Sequence, residues 1–412
     1  MSRSTARPGW PLTAALCLLA LACGPDPGAG PGGAGGLDAR VAATRAPVVI
    51  APALPFPGEG FGHAVAISGS AVAVTDFLDT DHADVHTYWL DGATAWPTGA
   101  VKPADSTERC FGSALALQWG FLAVGSPCAL AGRGEVRLYA PAGDGWIEEA
   151  ALGAQAGATA LFGKAVAAGQ GRIVVGAPAE GASAGAAYVF ALGASGWTLE
   201  ARLAPADARP GDQFGFDVAV SPTIIAVAAP GRAGTDPLAP AGRVFVYHLG
   251  RGGWVQEAVL APADTALGER TARAVAAGSG VVAVAGDPIV AHSLHLFEKV
   301  SGAWVEADVE PALRGAADCG FVHALAMDGN LLVVGMPTLT GPAGEYRPGG
   351  AWVYKRASAG WTRLGDVPSA AHPLDKAGHA VAVSRGNVVV GGPGTLEPGV
   401  GAGSGEVTIE RR

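Results

Sequence analysis

One module of about 50 residues recurs seven times along this chain of 412. Self-similarity at that period restricts the fold to a stack of repeats or a closed ring of sheets. The clearest copy covers residues 162–203. Residues 162–168 alternate larger with small side chains, Gln170-Gly171 is a two-residue turn signal, and residues 172–175 form a β-branched run. Residues 186–192 and 197–203 alternate again on either side of a Gly/Ser turn. Four short strands without a helical period make one small antiparallel sheet. Copies begin at Phe61, Phe111, Phe162 and Phe214, and in weaker form at Thr271, Phe321 and Ala377, with spacings of 50, 51, 52, 57, 50 and 56 residues. The predicted fold is all-β: a seven-bladed β-propeller of four-stranded antiparallel blades.

Phe-Gly opens the stronger copies, and a Gly-Ala-Pro tripeptide or a variant of it ends the second strand. It reads Gly125-Ser126-Pro127, Gly176-Ala177-Pro178, Ala228-Ala229-Pro230, Gly335-Met336-Pro337 and Gly391-Gly392-Pro393. Blade five carries Ala285-Gly286-Asp287-Pro288, and blade one departs furthest with Thr75-Asp76-Phe77. On these residues the chain resembles the FG-GAP repeat proteins, whose repeats form the β-propeller of integrin alpha subunits and of many bacterial surface proteins. The resemblance covers roughly residues 46–412. It implies a scaffold that meets its partners on the rim carrying the loops after the second strands. Integrin-type blades often carry an Asp-rich calcium loop between their first and second strands. Here those turns are minimal, as in Ser68-Gly69-Ser70 and Asp328-Gly329-Asn330, and lack the oxygen ligands that calcium takes. No calcium and no other cofactor is expected.

The chain ends carry a further instruction. Ile50-Ala51-Pro52-Ala53 has the character of Leu203-Ala204-Pro205-Ala206, and Phe61 follows Ile50 at the distance by which Phe214 follows Leu203. No three strands precede Ile50, and the last copy stops after its third strand, residues 406–411. Residues 48–51 are therefore expected to complete blade seven. That closes the ring and removes two open edges. Trp96, Trp146, Trp197, Trp254, Trp304 and Trp361 open the fourth strand of six blades and are expected to be packing anchors at one shared position.

Charged residues are only 15% and Gly is 63 of 412, a composition suited to short strands and tight turns. A formal net charge of −9 offers phosphates no basic surface, so no nucleic-acid partner is expected. Residues 1–22 read as a lipoprotein signal peptide. Arg3 and Arg7 precede an apolar run over residues 11–22 that is too short for a permanent span. Its end, Leu19-Ala20-Leu21-Ala22-Cys23, resembles a bacterial lipoprotein signal, which implies acylation of Cys23. Ala20-Leu21-Ala22 also suits ordinary signal peptidase, so plain secretion stays open. Residues 23–40 would then be a flexible Gly/Pro-rich tether and residues 41–412 the propeller. The expected location is the cell envelope, at the outer membrane or cell surface, with the protein a monomer. If the first turn of blade two centres on Trp119, Cys110 and Cys128 oppose each other within disulfide range, and an exported protein permits the bond. Cys319 is left over.

Chemistry is sparse. Asp76, Asp79, Asp81 and Asp84, with His82 among them, form an acidic stretch read as a loop after the second strand of blade one. It is either a solvated loop or a divalent-cation site. Two places after each copy's start stand His63, Ser113, Lys164, Phe216, Arg273, His323 and His379. On innermost strands these would form a ring, either lining a wet channel or holding an anion or metal. Gly181-Ala182-Ser183-Ala184-Gly185 spells a nucleophile elbow, but it joins two strands of one blade where the elbow needs a strand and a helix. No enzyme is expected. Residues 230–242, 337–349 and 393–405 are the longest irregular stretches, all sent to one rim. Arg232, Asp236, Glu345, Tyr346 and Arg347 are their candidate partner-binding groups. The favoured function is a lipid-anchored binding or adhesion module for a protein or glycan. The alternatives are a metal-assisted hydrolase or lyase and a purely structural envelope component.

Overall fold

A computed structural model describes residues 46–52, 60–78, 82–103, 110–118, 120–143, 145–154, 159–232, 242–262, 271–286, 294–307, 322–337, 339–340, 346–347, 349–358, 360–368, 376–394, 396–397, 401–402 and 405–412. They form seven four-stranded antiparallel sheets, each with its strands in sequence order except the last. In that sheet the order begins with Val48–Ile50 on the outside, then Glu406–Arg411, Asn387–Gly392 and Ala380–Ser384. Val48 pairs with Ile409, Val49 with Thr408 and Ile50 with Val407. The first strand of the chain thus completes blade seven and closes the ring. At one end of the axis a channel of about 400 Å³ is lined by Ser68, Gln118, Gly169, Ser221, Gly278, Asp328 and Ser384, one from the inner-strand end of each blade.

The core is divided into layers between blades. Phe162, fully buried, packs with Val136 and Leu138 of blade two. Phe214 packs likewise on Val189 of blade three, and Phe111 on Val85 of blade one. The inner strands show why this repeats. In blade three Val166 faces back to blade two, while Ala165 and Ala167 face forward and leave room for blade four. Larger residues on one face and small ones on the other make a wedge, which is what a ring of sheets needs near its axis.

The Phe-Gly and Gly-Ala-Pro residues meet each other across the junctions. A Cβ on Gly176 of blade three would lie 2.0 Å from the Gly215 carbonyl oxygen of blade four. Gly185, at φ +84°, touches Phe214 through an isolated parallel bridge, and a Cβ there would lie 2.1 Å from the Phe214 oxygen. The same bridge joins Gly134 to Phe162, Gly349 to Ala377 and Gly405 to Phe61. Where glycine stands at that place, at Gly125, Gly176, Gly335 and Gly391, the repeat motif is a backbone-to-backbone clasp too close for a Cβ.

Tryptophans latch neighbouring outer strands. Trp254 donates to Glu200 at 3.0 Å, Trp304 to Glu257 at 2.7 Å and Trp361 to Glu298 at 2.9 Å, each to the preceding blade. Arg172, Lys299 and Arg356 pair with the same three carboxylates. Trp96 departs from the expected shared position. Trp197 pairs with Leu192, one step after the first pair of its hairpin, whereas Trp96 is two steps in and pairs with Trp89. That single step turns it to the opposite face of the sheet, and both Trp89 and Trp96 are more than half exposed.

A disulfide joins Cys110 to Cys128, with Cα atoms 5.5 Å apart. The geometry differs from the expected one. Gln118 pairs with Phe121 and Ala114 with Gly125, so the turn centres between residues 119 and 120. Both cysteines then fall in the turns beyond the ladder. The long connections of blades six and seven are not wholly irregular: Leu339–Thr340 pairs with Tyr346–Arg347, and Leu396–Glu397 with Gly401–Ala402.

Candidate functional site at the axial mouth

The acidic stretch of blade one is not a loop. Its strands run Ala71–Leu78 and His82–Asp91, and Asp76 stands directly opposite Asp84 in their ladder. Both carboxylates are buried and engaged: Asp76 with His86 at 3.5 Å, Asp84 with Lys102 at 2.7 Å. Asp79 and Asp81 lie outside the described residues. Among the described residues no group of His, Cys, Asp or Glu is arranged to hold a metal ion. Gly181–Gly185 belongs to a tight turn between the second and third strands of blade three, with Gly181 and Ala182 left-handed, so no elbow is built there.

Arg232 leaves the partner-binding set. It is buried, donates to Asp212 at 2.5 Å and to the Asp207 carbonyl at 2.8 Å, and pairs with the Asp207 carboxylate. It holds the connection between blades three and four. Tyr346 and Arg347 sit in the small hairpin of blade six; Asp236, Glu345, Cys23 and Cys319 lie outside the described residues.

The equivalent positions two places after each copy's start do come together. His323 stacks on His379 at a centroid distance of 4.2 Å, and His379 lies 4.8 Å from His63. His323 Nδ1 is 2.8 Å from the His379 carbonyl oxygen. Lys164 and Arg273 lie over Phe216, at 5.9 and 5.0 Å from its ring centroid. Blades three, five, six, seven and one thus bring five nitrogen bases to the start of the inner strands. Antiparallel pairing returns the end of each second strand to the same side. The mouth therefore opens on the rim that carries the long connections.

Burial, with the charge of Lys164 and the neighbouring rings, pushes His63 down to about 4 and His379 down to about 3; His323 is lowered as well. All three are neutral at pH 7, so the positive charge around them comes from Lys164, Arg273 and Lys376. Asp217 adds an opposing group. Its carboxylate accepts from Val218 N at 2.9 Å and Val275 N at 2.8 Å, bridging blades four and five, and burial pushes it up to about 6 against those bonds. Six blades carry Ala at that place (Ala64, Ala114, Ala165, Ala274, Ala324, Ala380). A lone acid in that column was the available signal.

These shifts set the acid stability. The folded histidines refuse a proton that the unfolded chain accepts below about 6.5, so stability falls as pH drops from there toward 4. Asp217 works in the opposite sense, because its raised value favours the fold as pH falls from about 6 toward 3.8. Two strongly depressed rings and a third outweigh one carboxyl. Thermal unfolding should show a lower midpoint at pH 5 than at pH 7, and His63→Gln with His379→Gln should flatten that difference. An unchanged difference in the double variant would place the acid sensitivity elsewhere.

Residues 146–190 and 197–247 match the family model described as the FG-GAP repeat. Each match runs from the outer strand of one blade to the third strand of the next. The comparison with curated proteins finds no match. A chain in a crystal structure of a mitotic checkpoint complex superposes with a TM-score of 0.51 at 14% identity, covering 93% of this chain and 99% of its own. A protein from Lactobacillus plantarum gives 0.49 at 13% identity, covering 75% of this chain and 85% of its own. At such identity the former likeness is one of fold alone.

Proposed function

We propose, from the premise that this is a seven-bladed β-propeller of FG-GAP repeats, that it serves as a binding module that takes an anionic group of a protein or glycan partner into its axial mouth. The observation that carries this reading is the contrast between the two ends of the axis. The inner-strand starts bring Lys164 and Arg273 over Phe216, with three mutually contacting imidazoles near those charges. The inner-strand ends offer Ser, Gly and Gln, with Asp328 already accepting from the Arg385 amide at 2.6 Å. In a chain of net charge −9, concentrating cations at one mouth focuses the field on incoming anions. A carboxylate or phosphate entering there would meet a lysine and a guanidinium against low-dielectric walls, where ion pairing is stronger than in water.

The mouth would be presented to the envelope by a lipid on Cys23 and the Gly/Pro-rich tether of residues 23–40. A lipid-anchored receptor needs reach more than rigidity in that segment. The test has two arms. Affinity capture from envelope extract with the soluble chain starting at residue 37 should retain a partner that Lys164→Glu releases and Lys355→Glu, a reversal far from the mouth, does not. Identical capture by both variants would remove the mouth from the reading. Labelled palmitate should enter the native chain and be lost on Cys23→Ala; an unlabelled native chain would end the anchoring.

A further inference from the structure

We propose that the anion taken at the mouth is a phosphate monoester, and that His323 Nε2 selects it by sharing the proton that a bound phosphate keeps. This rests on the mouth being the binding site and adds the ligand's chemistry to it. His323 Nδ1 lies 2.8 Å from the His379 carbonyl oxygen. A carbonyl oxygen only accepts, so Nδ1 carries the hydrogen of that bond. In the uncharged ring Nε2 then holds a lone pair and has nothing to donate. Crowding by its neighbours, with the charges of Arg273, Lys164 and Lys376, holds the ring below its ordinary value against that carbonyl bond, so it is uncharged at pH 7. The stack on His379, at 4.2 Å between centroids, holds the plane of the ring. One side of His323 stays open to solvent, and Nε2 has no hydrogen bond among the described residues.

An acceptor set among cations discriminates between anions. A carboxylate or a sulfate ester carries no hydrogen near pH 7, and its oxygens would face the Nε2 lone pair. A phosphate monoester has a second pKa of about 6 and can keep one hydrogen when bound. Its P–OH donates to Nε2 while its other oxygens accept from the Lys164 ammonium. With the proton moved to Nε2 and the phosphate a dianion, the atoms and the net charge of the complex are the same. Lys164 is exposed and, among the described residues, has no hydrogen bond or ion pair, whereas Lys102 and Lys299 are each paired with a carboxylate. Its charge reaches all three rings and Asp217. The titratable and charged groups around His323 are thus His63, His379, Lys164, Arg273 and Lys376, with Asp217 beside Lys164. Asp217, His63 and His379 titrate at about 6, 4 and 3, below the range in which the ligand's proton is read.

Isothermal titration of the soluble chain starting at residue 37 provides the test, with glucose 6-phosphate, glucose 6-sulfate and glucuronate, which differ in the anionic group. The phosphate should bind about tenfold or more tightly than either of the others. Its complex holds a proton that the free dianion lacks, so binding at pH 7.5 should take up about one proton, read by repeating the titration in buffers of different ionisation enthalpy. Affinity should accordingly fall about tenfold per unit from pH 7 to 8.5. His323→Phe keeps a stacking ring without the acceptor, and should erase both the preference over sulfate and the proton uptake. The three ligands on the native chain decide the matter even if that variant folds poorly. Inorganic phosphate, titrated alongside, distinguishes the free ion from a sugar-borne phosphate; whichever binds more tightly carries the chemistry proposed. The proposal is overturned if the sulfate binds as tightly as the phosphate, if no proton is taken up, or if none of the three binds. In the first two cases the mouth still takes anions by charge, and Lys164→Glu should weaken them all. Phosphate binding untouched by Lys164→Glu would remove the mouth, and this selection with it.

Discussion

A chain that begins after residue 53 should lose its ring. Val48–Ile50 supplies the outer strand of blade seven, and its removal leaves Glu406–Arg411 as an open edge. Ile50 is 5% exposed and packs with Phe61, Val407 and Ile409, whereas Val49 is 45% exposed and contributes little. Full burial of one Ile with partial burial of Val48 is worth roughly 3–4 kcal/mol, at about 1.5–3 for a fully buried side chain. The greater effect is topological. Without the strand, no segment remote in sequence ties the last blade to the first from outside, and the bare edge can pair with a second copy. The truncated chain should aggregate or melt many degrees lower, as scanning calorimetry and size-exclusion chromatography would read. Ile50→Ala should lower stability with the chain still monomeric. A truncated chain that remains monomeric with a native melting curve would sink the strand's role in closure.

The parts of the molecule legible in its sequence are those that repeat. Phe162 and Gly176 recur because every junction solves the same packing problem, so register alone located them. What failed was whatever belongs to one blade only. Trp96 stands 35 residues after Phe61, as Trp197 stands after Phe162, yet a one-residue difference in the hairpin register turns it outward. Counting residues cannot see that shift, because side-chain direction in a strand depends on parity. Arg232 looked like an available cation on a loop. Its partners Asp207 and Asp212 stand 25 and 20 residues earlier, in the connection from another blade, and nothing local announces them. Asp76 and Asp84 were read as loop because acids in series suggest solvent. Opposed in the ladder, each has found a base. The ring at the mouth was legible because seven equivalent positions could be aligned.

Substituting Gly176 by Ala should separate blades three and four. The added methyl would stand 2.0 Å from the carbonyl oxygen of Gly215 and 3.0 Å from its carbonyl carbon. Both are backbone atoms, so no side-chain rotation relieves the clash, and the sheets themselves must move apart. Such overpacking costs about 3 kcal/mol and occasionally more. The layer it would pry open holds Phe214, Val174, Val189 and Ile225, all fully buried. The chain supplies its own comparison. Blade four carries Ala228 where blade three carries Gly176, and blade five opens with Thr271-Ala272 in place of Phe-Gly. Among the described residues no isolated bridge joins those two blades, whereas one joins blades three and four. At that junction the blades meet through other contacts: Asp217 bridges Val218 N and Val275 N, and a Cβ on Gly242 would lie 2.1 Å from the Thr271 oxygen. Gly153→Ala is the matched control, because an added Cβ there meets nothing within 4 Å. Urea unfolding should show a markedly lower midpoint for Gly176→Ala and a nearly native one for Gly153→Ala. Coincident curves would mean that the glycine of the repeat motif does not hold the blades together.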